Sequence, residues 1–358
     1  MPSPFTPEAL PVLVGSLPLE DHGEAMDLVM RFTPEIPSWS QLPIHREEGM
    51  IDQFLPGLPG VVEKNGKRFI DTQSDPFNAD LVAFYEAYLA VTEEGGALLE
   101  SRFGLTADTA QGFFTFLEAL KRRKAPPAAV KGQVTGPITF ATALVDQKGT
   151  PLFYDLQLRD MAVKLLALKA RWQVRRLKES GVPVILFMDE PGMAGFGSSE
   201  FTSISREDVR FCFTEMIEAI QAEDGMAGIH VCANTDWSLI LSLPFDIVNF
   251  DAYAYFDRFI LYAEDVKRFL ESGGILAWGM VPTLNAEALR QETVETLAAR
   301  WKDTLRQLDA IGIPPDRVTR QSLITPSCGI GTLPLDLMKK VLMLTRELSL
   351  KIRGAARL

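Results

Sequence analysis

The stretch VPVILFMDEP, residues 182–191, decides how this chain is read. Val184 to Met188 is an unbroken apolar run that stops on Asp189-Glu190-Pro191. Alternating apolar and polar residues would mean a strand wet on one face. A continuous run means a strand buried on both faces, as in a parallel sheet covered by helices. The same signature recurs on both sides. Eight such runs read as strands: Val12–Ser16, Trp39–Leu42, Val130–Thr135, Val184–Asp189, Ala227–Cys232, Ile247–Asp251, Ile275–Gly279 and Ser322–Thr325. Amphipathic stretches lie between most of them: Tyr154–Ser180, Arg206–Ala222, Glu264–Ser272, Glu292–Ile311 and Leu335–Ser349. In Arg206–Ala222, for instance, Val209, Phe213, Met216, Ile217 and Ile220 recur at helical spacing.

Eight strand–helix units predict an α/β fold of the (β/α)8 barrel type, a single domain over residues 1–358. The connection after the second strand is too long for a simple crossover. It spans residues 43–127, holds predicted helices at Leu81–Glu93 and Thr109–Lys121, and reads as a helical insertion. An open doubly wound sheet would favour a glycine-rich phosphate loop after its first strand, and Val14-Gly15-Ser16-Leu17-Pro18 is not one.

Composition narrows the function classes. Of 358 residues, 47% are hydrophobic and 23% charged, with a net charge of −11. An acidic chain is a poor partner for nucleic acid or an anionic membrane. The one dense basic run, Lys121-Arg122-Arg123-Lys124, ends a predicted helix and suits its dipole as a solvated face. No apolar run approaches the ~18 residues of a membrane span. No Lys or Arg precedes Arg31, unlike a signal peptide, and three cysteines make no disulfide framework, so a cytoplasmic location is expected.

A barrel's active site lies at the C-terminal ends of its strands. The residues found there are Gly15-Ser16, Thr135-Gly136-Pro137, Asp189-Glu190-Pro191, His230-Val231-Cys232, Asp251, Gly279-Met280 and, just past the eighth strand, Ser327-Cys328-Gly329. His230 and Cys232 are two apart and therefore point to one side of a strand. Cys328 arrives from another strand end. One imidazole and two thiolates suit Zn²⁺, and three protein ligands leave a fourth position open. Cys212, mid-helix between Phe211 and Phe213, reads as core.

These segments resemble the catalytic half of cobalamin-independent methionine synthase, in its short core form. They also resemble the zinc methyltransferases that move methyl from a corrinoid protein to coenzyme M, within the superfamily of uroporphyrinogen decarboxylase. The resemblance rests on His230-Val231-Cys232-Ala233-Asn234, Pro326-Ser327-Cys328-Gly329, Val14-Gly15-Ser16, Val134-Thr135-Gly136-Pro137 and Met188-Asp189-Glu190-Pro191, and it spans nearly all of the chain. It implies a zinc-dependent thiol S-methyltransferase with His230, Cys232 and Cys328 as ligands and Asp251 as a fourth. Homocysteine is the acceptor it implies first. Gly15 and Ser16 would then meet the substrate's carboxylate, and Asp189 and Asp52 its ammonium.

Three departures shape the expected donor. Asp251 stands where the long enzyme has Glu. The tryptophan that follows TGP at the folate site has no counterpart in Ile138–Ala143. The family's proton-donating histidine is replaced by Trp278-Gly279-Met280-Val281-Pro282-Thr283, and neither His22 nor His45 lies in that segment. Methylcobalamin carried by a corrinoid protein therefore fits better than methyltetrahydrofolate. The rival readings are a coenzyme M-type methyltransferase, a decarboxylase of the uroporphyrinogen type, and a non-catalytic zinc- or corrinoid-binding subunit.

Overall fold

A computed structural model describes residues 5–93, 97–194, 196 and 203–354. The long buried runs form strands because nothing in them offers helical amphipathicity and each is stopped by a polar or turn residue. Among the described residues there are nine strands, β2 and β3 being short and partly exposed: β1 Leu10–Pro11, β2 Val61–Lys64, β3 Lys67–Ile70, β4 Val130–Thr135, β5 Val184–Asp189, β6 Met226–Val231, β7 Ile247–Phe250, β8 Ile275–Val281 and β9 Ser322–Pro326. Seven form a curled parallel sheet in the order β1-β9-β8-β7-β6-β5-β4, flanked by helices. This is compatible with a TIM-barrel-like fold.

The first two expected strands differ. Val12–Ser16 lies just past β1 and adds to the sheet only the bond from Val12 N to Ile324 O (3.0 Å) and a single bridge at Ser16. Trp39–Leu42 forms no ladder; Ser38 bridges Lys131 and Gln41 bridges Ser16, both parallel. One segment thus touches both edges of the sheet through single bridges. Pro37 and Pro43 flank it, and proline cannot donate to a ladder. Side chains hold it instead. Trp39 Nε1 donates to Gln173 Oε1 (3.1 Å), Gln133 Nε2 donates to Trp39 O (3.1 Å), and Gln41 Nε2 donates to Gln53 Oε1 (2.6 Å).

The segment that follows is not purely helical. Helices Phe77–Thr92 and Ala107–Lys121 stand close to where the sequence puts them, but β2 and β3 form an antiparallel hairpin ahead of them. Its turn is Asn65-Gly66, both at positive φ. Two consecutive positive φ values are what a two-residue hairpin turn needs, and Asn-Gly supplies them. Further on, helix Leu156–Leu177 starts where Asp155 accepts from the Gln157 and Leu158 N–H groups. Helices Arg206–Gln221, Ala263–Glu271, Val294–Ala310 and Leu335–Ile352 fall within a few residues of expectation. No helix among the described residues is long and apolar enough to cross a membrane.

Two apolar cores follow from strand alternation. Val184, Leu186 and Met188 point outward and pack under the helices, in a core that also takes the buried Cys212. Ile185 and Phe187 point the other way. They join Leu10 and Val12 from one edge of the sheet, Ala129 beside the other, and Ile247, Ile275 and Leu323 between. Residues near both edges meet in that second cluster, so it fills the N-terminal end of the concave face.

Candidate active site

Along the concave face, residues of the same parity change character toward the strand C-termini. On β4 they run Lys131, Gln133, Thr135. On β5, Ile185 and Phe187 lead to Asp189. On β6, Met226 leads to His230 and then Cys232; on β7, Ile247 leads to Asn249 and Asp251. All four β-strands are buried throughout, so these polar groups must find partners or a ligand.

His230, Cys232 and Cys328 converge. One ligand atom from each lies within 4.8 Å of the others. Two sulfurs on one tetrahedral zinc would stand about 3.8 Å apart, given bonds of about 2.3 Å. His230 and Cys232 come from the end of β6. Cys328 comes from the turn after β9, which is fixed from two sides. Ser327 N donates to Val281 O (2.9 Å), and the Ser327 hydroxyl accepts from Thr283 N (3.1 Å). Beyond the cysteine, Ser16 O accepts from Ile330 N and Ser16 Oγ from Gly331 N, each at 3.2 Å.

The electrostatics suit a metal. The Cys232 thiol is pulled below the usual thiol range, first by the hydrogen bond from Cys328 and then by His230. Cys328 is pushed up because its neighbour is the thiolate. Burial alone would lower His230, but the adjacent Cys232 sulfur and the charge of Asp189 outweigh that and raise it. The Nε2 atom of His230 is buried and has no hydrogen-bond partner. An orphaned imidazole nitrogen facing two thiols is a ligand set for a soft-to-borderline metal such as zinc. The residues present therefore fit the ion.

Asp251 stands outside this trio. Its carboxylate accepts from Ala254 N (2.9 Å) and caps helix Ala252–Phe259. Burial raises its carboxyl to about 6, against the pull of that cap.

The trio opens into a cavity of about 360 Å³, also lined by Val14, Ser16, Gln41, Pro43, Glu48, Met50, Asp189, Pro191, Leu284 and Gly331. Among the described residues no Lys or Arg lines it. Asp189 is buried and its Oδ1 has no partner. Burial pushes its carboxyl up, and the charge of Lys131 opposes this. Lys131 lies beneath: it is fully buried, donates to Val14 O (2.5 Å) and Gln133 Oε1 (3.1 Å), and sits 4.9 Å over the Phe187 ring. Burial lowers its ammonium to about 8.

Gly15 holds the wall through its carbonyl, which accepts from Gln41 N (3.2 Å), and is not itself a lining residue. Asp52 turns away: it pairs with Arg68 (2.9 Å) at a separate surface cleft. The acidic residue of that turn which lines the cavity is Glu48, which the sequence reading missed. Glu48 accepts from Leu42 N (2.8 Å), and its Oε1 lies 2.7 Å from His22 Nε2. No spacing rule distinguishes Glu48 from Asp52 four residues on. Asn249 was missed as well, although its parity with Asp251 was a usable signal.

Glu190 is structural. It accepts from Ile138 N (2.8 Å), Thr139 N (3.0 Å) and Thr139 Oγ1 (2.7 Å), at the start of helix Pro137–Ala143. Burial raises its carboxyl to about 7 against those donors. The same contact explains Gly136, where a Cβ would stand 2.2 Å from the Glu190 carboxyl carbon. The TGP and DEP segments thus lock one another.

No protein-family model and no curated protein matches this chain. Among solved structures it is similar to a methyltransferase from Methanosarcina mazei, at 15% identity over 97% of this chain and 95% of that one, with a TM-score of 0.51. It is also similar to a GH20 catalytic module of the pneumococcal exo-β-D-N-acetylglucosaminidase StrH, at 10% identity over 95% and 85%, with a TM-score of 0.47. At this level of identity, the chain shares with the Methanosarcina methyltransferase an overall fold along nearly its whole length.

Proposed function

We propose that this protein is a zinc-dependent methyltransferase on a (β/α)8 barrel that activates a small amino thiol, homocysteine first, and takes its methyl from a methylcorrinoid protein. One observation carries the reading. The His230–Cys232–Cys328 trio, with its unpartnered Nε2, and the unpartnered Asp189 Oδ1 line the same cavity. A soft-metal site beside a buried lone carboxylate suits a substrate with sulfur at one end and a cation at the other. The likeness to a protein described as a methyltransferase supports the same direction.

His230, Cys232 and Cys328 would hold Zn²⁺, and Asp251, whose carboxyl feels the charges of His230 and Cys232, would be the fourth group. Bound zinc supplies a Lewis acid that lets a thiol sulfur bind as thiolate near neutral pH. The chain supplies the rest. Asp189 takes the ammonium in a charge-assisted hydrogen bond, with Glu48 as the second carboxylate on the wall. Lys131, below, favours the ionised form of Asp189. Ser16, whose oxygen accepts from Gly331 N, keeps its hydroxyl hydrogen to offer the substrate's carboxylate. Val14, Pro43, Met50, Pro191 and Leu284 keep the sulfur's surroundings apolar. A thiolate partly stripped of water is a better nucleophile toward a methyl group.

The rivals fare worse on charge. Coenzyme M would set a sulfonate against Asp189 and Glu48. A uroporphyrinogen-type substrate would bring several carboxylates to a cavity with no lining Lys or Arg among the described residues. A purely binding subunit would have no use for a buried, unpartnered carboxylate beside the metal site.

The test is zinc analysis of protein purified without added metal, followed by methylation of homocysteine from free methylcobalamin. About one zinc per chain and methionine formation are expected. Zinc without methylation from methylcobalamin, a methylcorrinoid protein or methyltetrahydrofolate would leave the binding-subunit reading. No zinc uptake by fully reduced protein would overturn the proposal.

A further inference from the structure

Which nitrogen of His230 faces the metal is a matter of hydrogen-bond bookkeeping. His230 and Asn249 are paired across β6 and β7, so their side chains leave the sheet on the same face. His230 Nδ1 lies 2.5 Å from Asn249 Oδ1. The amide's other end meets Ala277 O at 2.7 Å and Thr325 Oγ1 at 2.9 Å. A carbonyl oxygen can only accept, so the amide end at Ala277 must be the NH₂ group. The amide cannot flip without setting two oxygens against each other. Its Oδ1 therefore faces His230 and can only accept, and Nδ1 must carry the proton. In the neutral ring Nε2 is then bare, and Nε2 is the atom left without a partner among the two cysteines.

We infer that Asn249 is the positioning residue of the metal centre: it fixes His230 as the Nδ1–H tautomer and presents Nε2 to the ion. The inference rests on the zinc reading above. Asn249 acts across strands, because its amide joins β6, which carries His230, to β8 and to β9, which leads to Cys328. It sets the ring's tautomer and rotation and ties the two ligand-bearing strands into one frame. An aspartate could not do this, since its carboxylate would face the Ala277 carbonyl with no hydrogen to give. Partners of this kind commonly change metal affinity 10–100-fold when removed.

The experiment uses the full chain loaded with zinc, with ¹⁵N-labelled histidine. The chain has three histidines, so the ring signals are few. The wild type is expected to show zinc on Nε2 of His230 and a slowly exchanging proton on Nδ1. Asn249→Ala is expected to lose that protected proton and to bind zinc about 10–100-fold more weakly in chelator competition. Thr325→Val removes one of the two amide acceptors and keeps Ala277 O, so it should leave both readouts within about twofold. If Asn249 merely knits strands, both variants lose stability while the ring proton stays in place and zinc affinity holds, which would overturn the inference. Zinc on Nδ1 in the wild type would also overturn it, without any variant, even where the metal reading survives. A wild type that takes up no zinc would sink both readings together.

Discussion

The two ends of the concave face are built from the same strands at the same parity, yet they do different work. At the N-terminal end, Ile185, Ile247, Ile275 and Leu323 form a dry cluster with Phe187 at its upper limit. At the C-terminal end, His230, Asn249, Asp189 and Thr325 replace them. Apolar burial holds the sheet curled at one end, at roughly 25 cal/mol per Å². At the other, buried polar atoms cost stability unless a ligand or hydrogen bond answers them. Among the described residues that line the cavity, His230 Nε2 and Asp189 Oδ1 are orphaned, and there that cost stays open to a ligand. Stability and chemistry are thus separated along the strand axis, and each substitution should move one and spare the other.

The sharpest break should come from Cys328→Ser. Loss of one of three protein ligands should take zinc from about one per chain to a small fraction, by elemental analysis after dialysis, and abolish methyl transfer. The unfolding midpoint of the metal-free protein should barely move. Next comes the dry end. Phe187→Ala should lower stability by about 3–5 kcal/mol in denaturant titrations, while the folded variant still binds zinc at wild-type stoichiometry. Gly228→Ala probes the same ring from the other side, because a Cβ there would stand 2.2 Å from Phe187 Cδ1. Overpacking of that kind should cost about 1–3 kcal/mol and again spare the metal.

A smaller effect belongs to substrate recognition. Asp189→Asn should raise KM for homocysteine about 30–150-fold, the equivalent of about 2–3 kcal/mol for a charge-assisted contact. A thiol of similar size without an amino group should show no such difference between wild type and variant. Equal losses for both thiols would mean that Asp189 supports the pocket and does not read the ammonium.

How much of this was legible differs between the two ends. The dry end was legible: unbroken apolar runs such as Val184–Met188 admit few other readings, and every regular strand from β4 to β9 falls where they lie. The H-x-C pair and Cys328 were legible because metal ligation needs few residue types at fixed spacing. Trp39–Leu42 was harder. Its flanking prolines signal a broken ladder, but the glutamines that hold it come from residues 53, 133 and 173, which no local pattern connects. The hairpin is marked in the sequence only by Asn65-Gly66, because its strands are short and half exposed and carry no unbroken apolar run. Asp52 and Glu48 both offered a carboxylate, and only the position of Arg68 on that hairpin decides which one turns away.

The boundary between the ends is Lys131, and its removal is the finest test. A lysine fully buried above an aromatic ring and below a carboxylate belongs to neither region. Its ammonium is lowered to about 8 by burial, so it remains largely charged at neutral pH and acts on Asp189 from beneath. On the proposed reading, the working form of Asp189 is the carboxylate. Burial raises its carboxyl, and Lys131 opposes that rise. Lys131→Met keeps the volume and removes the charge, so the Asp189 carboxyl should move further up. The acid limb of the kcat/KM profile for homocysteine should then shift to higher pH. Zinc stoichiometry should be unchanged. If the acid limb stays put while stability falls, Lys131 belongs to the dry end as a packing residue. If the limb moves, the polar end begins one layer deeper than the ligands themselves.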